Sequence, residues 1–351
     1  MPGVVGAHGD FAAQVVRWQA THGRNSLPWQ NTRDPYRVWL SEIMLQQTQV
    51  VTVMGYFQRF ITRFPDVRSL AQGSLDDVLG LWSGLGYYSR ARNLHLCARQ
   101  VVSQHGGVFP EDALTLATLP GIGRSTAAAI SSLCFGERVA ILDANVKRVV
   151  TRVLAFDADL ALSANERTLW DRATALLPAG PRAQANMPRY TQGMMDLGAT
   201  VCLPKKPLCD VCPVQQRCKA YAAGDPARYP VRTRKLKRSS QSLWLLWAQT
   251  ASGAVWLSQR PTPGVWAGLY CLPLFDSEDA LRASLPALHL LELIDLPAFT
   301  HVLTHKDLHL HTRRLVLAEA TTQPGDGRWV APEEWPTLGL PAPVRKLLER
   351  G

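Results

Sequence analysis

No stretch of the 351-residue chain reaches 18 uninterrupted apolar residues, so nothing in it reads as a membrane-spanning helix. The opening "MPGVVGAHGDFAAQ" lacks a basic segment followed by an apolar one, which speaks against a secretory leader and for a cytoplasmic protein. Cysteine is scarce. There are seven, an odd number, and four of them crowd into "CLPKKPLCDVCPVQQRC", which excludes an evenly paired disulfide framework. Cys97, Cys134 and Cys271 have no cysteine nearby and read as small buried hydrophobes. Acid is also short, with 28 Asp and Glu against 38 Lys and Arg. The net charge of +10 favours a polyanionic partner without proving one. No internal repeat is present, and the length predicts two domains.

Residues 10–225 read as almost entirely helical. In "DPYRVWLSEIMLQQTQVVTVMGYFQRFITRF" apolar residues recur at three and four, with Asp34 placed to cap a helix that starts on Pro35. Shorter helices are predicted at 67–72, 74–82, 87–105, 112–117, 124–135 and 143–155, separated by glycine and proline punctuation. The pattern changes at "YPVRTRKLKR", residues 229–238, where five of ten residues are basic and none acidic. That run reads as a solvated linker or as a phosphate-contacting segment. Beyond it come short apolar runs, six of the eleven tryptophans, and a hairpin in which "SLWLLWAQT" and "AVWLSQR" flank "ASG".

Two short features carry chemistry. Cys202, Cys209, Cys212 and Cys218 have the spacing C-x6-C-x2-C-x5-C. Zinc sites are commonly built from two tight pairs, whereas here one tight pair is flanked on both sides. This suits the four corners of a [4Fe–4S] cluster, with zinc and unligated thiols as the alternatives. In "LPGIGRSTAAAI", residues 119–130, Gly121 and Gly123 permit a tight turn into a helix whose first amides can meet a phosphate oxygen. An ordinary interhelical turn has the same look. Twenty residues after Gly123, Asp143 stands just ahead of an apolar helix, where an N-cap is expected.

Taken together, the LPGIG turn and Asp143 resemble the helix–hairpin–helix-Gly/Pro-Asp motif of DNA glycosylases, and the cysteine spacing is similar to the cluster loop of the endonuclease III superfamily. Bifunctional members of that superfamily carry a lysine where this chain has Ser125. A hydroxyl cannot form the Schiff base that drives strand cleavage. "WLSEIMLQQTQV" and "GLWSGLGYYSRARNLH" closely resemble MutY-type adenine DNA glycosylases. On a generic helix Glu42 is a surface acid. Its apolar neighbours Leu40, Ile43, Met44 and Leu45 instead suggest a desolvated carboxyl kept protonated.

The resemblance implies Glu42 as general acid on adenine N7, Asp143 as the carboxylate that stabilises an oxocarbenium-like sugar, and Asn145 and Ser125 as supporting residues. It places Gln46, Gln47, Thr48, Leu85, Gly86, Tyr87, Gly121 and Gly123 against DNA, with Tyr87 as a wedge beside the orphaned base. A core role for Tyr87 and Tyr88 is the alternative. Lys205, Lys206, Arg217 and Lys219 would give the cluster loop a phosphate-facing side.

"QRPTPGVWAGLYCLPLF" is similar to the NUDIX-like domain of the same family, yet the acidic box a NUDIX hydrolase needs is absent. This domain is expected to bind and not to hydrolyse. In "FTHVLTHKDLHLH" the resemblance puts Thr304 and His305 in a lesion-sensing loop, with Leu303 where the family has an aromatic ring.

The expected architecture is a mainly α N-terminal part and an α+β C-terminal domain. Residues 1–228 form the glycosylase region, with a six-helix barrel at about 30–138 and an iron–sulfur subdomain from 1–29 and 139–228. A basic linker follows at 229–238 and the NUDIX-like domain at 239–351. The implied activity is excision of adenine opposite 8-oxoguanine or guanine in double-stranded DNA, by a nucleoid-associated monomer that leaves the strand intact. An endonuclease III-like glycosylase/lyase acting on oxidised pyrimidines is the alternative.

Overall fold

The computed structural model describes residues 6–233, 237–318 and 320–350, with side chains from residue 11 onward. The chain divides into two compact units. One holds residues 1–71 and 96–234, the other residues 72–95 and 235–351. Residues 234–236 of the basic segment fall outside the described residues.

In chain order the helices before the sheet are α1 Gly6–His22, α2 Pro35–Leu45, α3 Val50–Arg63, α4 Val67–Gln72, α5 Leu75–Trp82 and α6 Ser89–His105. Then come α7 Ala113–Leu116, α8 Arg124–Ile130, α9 Ala144–Leu154, α10 Ser163–Ala175, α11 Ala183–Thr200 and α12 Lys219–Ala222. Their bounds fall close to the periodicity-based ones. Asp34 caps α2 as expected, its carboxylate accepting from the Tyr36 amide at 2.9 Å with Pro35 behind it.

Two departures matter for the site. The helical run from 34 to 64 is cut at 46–49, where Gln47 takes a left-handed φ of 57°. The helix predicted at 124–135 ends as a π-turn, Ser131–Phe135, a widening that periodicity does not reveal.

One core of the first unit joins α1, α9, α10 and α11 through Phe11, Val15, Val149, Leu169, Met187 and Leu197. Against α11, a Cβ on Gly198 would stand 2.7 Å from the Asn145 Cβ, so only glycine lets α9 approach this closely. A second apolar group packs α2 and α3 with Trp29 and Phe109. It contains the Trp29–Phe57 and Trp39–Phe109 ring pairs, both with centroids 5.2 Å apart.

The second unit is a mixed sheet. Its strands are β1 Ser239–Thr250, β2 Val255–Gln259, β3 Tyr270–Cys271, β4 Leu274–Phe275, β5 Ile294–Asp295, β6 Phe299–Val302, β7 Lys306–Leu317 and β8 Gly327–Val330. The path is β3-β2-β1-β7-β5, with β4 on β1, β6 on β7 and β8 on β2. β1 and β7 run parallel from Ser239↔Lys306 to Thr250↔Leu317. The expected hairpin is β1–β2, antiparallel at Gln249↔Val255.

Alternation along β1 sends Leu243, Leu245 and Trp247 to one buried face and Leu246 and Ala248 to the other. Residues 72–95 pack with this sheet. The Tyr88 hydroxyl donates to the Leu340 carbonyl at 2.8 Å, Arg92 donates to the Ala267 carbonyl at 2.6 Å, and the Tyr270 hydroxyl donates to Asp76 at 3.2 Å. Cys97, Cys134 and Cys271 are buried, as expected of small hydrophobes. Among the described residues no helix is long and apolar enough to cross a membrane.

Candidate active site

A cleft of about 800 Å³ in the first unit gathers much of the sequence-expected set. Glu42, Gln46, Gln47, Thr48, Ser125, Asp143 and Asn145 all line it. The break after α2 explains the first four. Glu42 sits one turn from the helix end, and the left-handed Gln47 turns the chain so that residues 46–49 face the opening. The Gln46 side chain reaches Thr126 on α8 at 3.5 Å.

On the opposite wall Asp143 is the N-cap of α9 and accepts from the Val146 amide at 2.6 Å. The capping and cleft-facing readings of Asp143 are therefore compatible. The Ser125 hydroxyl accepts from the Leu142 amide at 3.1 Å, pinning the residue before Asp143 to the start of α8. Gly121 is left-handed, with φ 76°, and Gly123 caps α8 without a side-chain bond.

The two acids differ electrostatically. Burial, followed by the nearby charge of Asp143, pushes the Glu42 carboxyl up to about 7. Burial raises Asp143 too, but the Val146 and Asn145 amides and the cations Arg148 and Lys147 pull it back. Glu42 is thus the acid that keeps its proton up to about pH 7, and Asp143 is the one better supported as an anion.

α9 also links the cleft to the cysteine loop. Arg148 donates to the Asn145 side chain at 2.9 Å, to the Gly198 carbonyl at 2.6 Å and to the Cys202 carbonyl at 2.7 Å. One turn on, Arg152 is 2% exposed. It donates to the Leu203 carbonyl at 2.7 Å and lies 3.3 Å from the Cys202 sulfur. Cys202, Cys209, Cys212 and Cys218 line one cavity and form no disulfides. Among the described residues no three His, Cys, Asp or Glu side chains group as they would to hold a metal ion. Burial, and after it mutual repulsion, raises the Cys209 thiol; at Cys212 and Cys218 backbone amides offset part of a similar rise. Lys205, Lys206 and Lys219 are exposed beside them and Arg217 is half-buried.

A narrow slot runs off the cleft behind Glu42, and sequence reasoning missed its polar wall. Trp29, Leu27, Leu45 and Met195 give it apolar faces, while Arg24 and Gln192 add polar groups. Arg24 lies in a loop without motif or periodicity, and Gln192 reads as one more polar residue of α11. Neither carried a signal.

The remaining expected residues lie in the second unit. Gly86 and Tyr87 are both left-handed, with φ 77° and 49°. Leu85 is buried, and Tyr87 is 44% exposed. The Tyr87 and Thr304 hydroxyls are hydrogen-bonded at 2.8 Å. Thr304 and His305 form the exposed turn between β6 and β7, and Leu303 is half-buried against the sheet core. His301 lies on β6.

Residues 40–173 match the HhH-GPD superfamily of base excision DNA repair proteins, and residues 243–350 match the NUDIX domain. A thermostable thymine-DNA glycosylase of solved structure is 28% identical, with a TM-score of 0.53 over 62% of this chain and 97% of its own. Fold and cleft thus define a DNA glycosylase, a hydrolase of N-glycosyl bonds, carrying an added NUDIX-like domain. The adenine DNA glycosylase of Buchnera aphidicola from Acyrthosiphon pisum is 35% identical over 97% of each chain. The Homo sapiens adenine DNA glycosylase is 34% identical over 96% of this chain and 73% of its own. The chain belongs to the adenine DNA glycosylase family, which sets aside the endonuclease III-like alternative.

Proposed function

We propose that this chain hydrolyses the N-glycosidic bond of adenine mispaired with 8-oxoguanine or guanine in double-stranded DNA, acting as a monomer and leaving the strand intact. The observation that carries this reading is the pair of acids on one cleft, one held protonated by burial and one held by amides and cations. The adenine nucleotide leaves the stack and its base enters the slot beside Glu42, at an unstacking cost of roughly a few kcal/mol. Glu42 donates its proton to N7, the C1′–N9 bond breaks with its electron pair going to the base, and the base departs neutral. The carboxylate of Asp143 stabilises the cationic sugar until water adds at C1′, its proton passing to the Glu42 carboxylate left by the first step. Asn145 and Ser125 keep Asp143 in place through α9 and the Leu142 amide.

On the DNA side, Gln46, Gln47, Thr48, Gly121 and Gly123 contact the strand around the extruded nucleotide. Leu85, Gly86 and Tyr87 form the wedge, and Thr304 and His305 read the lesion. The barrel spans about 30–138, with the subdomain from 1–29 and 139–228 behind it and the basic segment 229–238 as linker.

The cysteine loop fits a [4Fe–4S] cluster. Four sulfurs line one cavity, and backbone amides and Arg152 lie against them, which supports these cysteines as the cluster's ligands. Cys202, Cys209, Cys212 and Cys218 would hold it, and once bound it would organise the basic loop around them.

Single-turnover excision on duplexes with A opposite 8-oxoguanine, G, C or T tests the proposal. Release of adenine from the first two without borohydride trapping is expected. Strong trapping, or equal rates on all four duplexes, would overturn it.

A further inference from the structure

The basic run 229–238 reads from sequence as a solvated linker or as a contact for phosphates. Its last residue is bonded to the protein itself. Arg238 belongs to the compact unit of the sheet and stands one residue ahead of β1. The parallel ladder of β1 and β7 opens at Ser239↔Lys306, which sets Arg238 beside the end of the β6–β7 turn. Arg238 Nη1 donates to the Thr304 carbonyl at 3.0 Å, and Nη2 forms an ion pair with Asp307, the second residue of β7. The next residue continues the grip, the Ser239 amide donating to the His305 carbonyl at 3.0 Å. Both carbonyls of the two-residue turn are thus held by the segment that enters β1.

Burial does little to fix that turn. Thr304 and His305 are exposed, and across their base the Leu303 amide donates to the Lys306 carbonyl at 2.8 Å. A guanidinium suits the task because its planar fork reaches a carbonyl and a carboxylate at once, which the point charge of a lysine does not. The Thr304 hydroxyl is engaged separately, with Tyr87 at 2.8 Å. Main chain and side chain of Thr304 therefore have different anchors.

We infer that Arg238 is a positioning residue for lesion recognition. Its guanidinium holds the backbone of the β6–β7 turn, so that Thr304 and His305 keep one presentation toward the base opposite adenine. A charge that the sequence offers to a linker or a phosphate is matched instead by Asp307 within the sheet unit. This rests on the reading of Thr304 and His305 given above and adds to it what holds them in place.

The test is single-turnover excision and equilibrium binding by the full chain, on duplexes pairing adenine with 8-oxoguanine or guanine, at several salt concentrations. Arg238→Met keeps the length of the side chain and deletes every donor. It should lower excision opposite 8-oxoguanine more than opposite guanine, so that their ratio falls about fivefold, the effect of losing a charge-assisted bond at an exposed pair. Asp307→Asn should move the ratio the same way, with the double variant no worse than Arg238→Met, because both act through one clamp. Arg238→Lys makes either contact but not both and should recover part of the ratio.

An Arg238 that contacts phosphate behaves otherwise. Arg238→Met then weakens binding to both duplexes alike and reduces the salt slope by about one, while Asp307→Asn removes a repelling charge and tightens binding. That pattern, or an unchanged ratio in Arg238→Met, overturns the inference. Equal losses on both duplexes together with a lower melting temperature reduce Arg238 to a fold-holding role and overturn it as well. Thr304→Val separates the two levels. A ratio that it leaves intact sinks the reading of the turn itself, whereas a ratio lowered by Thr304→Val and not by Arg238→Met sinks only the role of Arg238.

Discussion

Glu42 and Asp143 share a cleft but answer differently to substitution. The Glu42 carboxyl rises from its ordinary 4.5 to about 7 on folding, so the folded chain binds this proton more tightly than the unfolded one. Its favourable contribution is complete below about 4.5 and is lost as pH rises through about 7. Glu42→Gln removes the ionisation and should therefore raise the melting temperature at pH 8, by the equivalent of roughly 1–3 kcal/mol, while changing little at pH 5. Excision should vanish in this variant at every pH, with mispair binding retained. In the unmodified chain the rate should decline above about pH 7 as the acid is lost. A rate that climbs steadily to pH 9 would remove Glu42 from the acid role. Asp143→Asn is the complementary case. Asparagine caps helices about as well as aspartate, so thermal stability should hold while single-turnover excision collapses. A fall in stability matching the fall in rate would make Asp143 a cap and nothing more.

At the scale of elements, α9 is the member that cannot be moved without moving the chemistry. Its cap is Asp143, and along its length Asn145, Arg148 and Arg152 follow at the three- and four-residue spacing that keeps side chains on one face. Gly198 on α11 sets how close that face can come. Gly198→Ala puts a methyl 2.7 Å from the Asn145 Cβ and 2.9 Å from its carbonyl oxygen. We expect a loss of about 1–3 kcal/mol in chemical unfolding, the usual cost of overpacking, together with a lower kcat. Normal turnover at normal stability would show that Asn145 has freedom to shift.

Much of this element was legible in the sequence. An aspartate ahead of an apolar, 3.6-periodic run signals a capped helix, and the acid inside "WLSEIML" signals a desolvated one. The slot was not legible. Arg24, Gln192 and Asp196 are 172 residues apart in the longest pairing, with no local pattern, and only the packing of α11 brings them together. Nor was the break at 46–49. Gln47 in a left-handed conformation violates local propensity, and what favours it is the surrounding cleft, which periodicity does not see.

On the scale of the whole molecule, the NUDIX-like sheet does not begin where the basic linker ends. It takes residues 72–95 from within the helical sequence as part of its own compact unit. Gly80 meets the Thr337 carbonyl so closely that a Cβ there would overlap it, and the Tyr88 and Ser83 hydroxyls both donate to the Leu340 carbonyl. Cutting the chain after 230 therefore removes more than a lesion-reading module. It also strips α5 and the start of α6 of the surface they pack on, so a truncated chain should melt earlier and lose excision on every duplex.

Point variants separate reading from stability. Thr304→Val keeps the size of the side chain and deletes the hydroxyl bonded to Tyr87. With a neutral hydrogen bond contributing about 0.5–1.5 kcal/mol, the preference for adenine opposite 8-oxoguanine over adenine opposite guanine should fall roughly three- to tenfold. The melting temperature and the rate opposite guanine should stay near those of the unmodified chain. Tyr87→Phe removes the other half of the same bond and should give a matching loss of preference, with no further loss when the two are combined. If both variants keep full preference, the bond only ties α5–α6 to the β6–β7 turn, and recognition of the lesion lies elsewhere in the sheet.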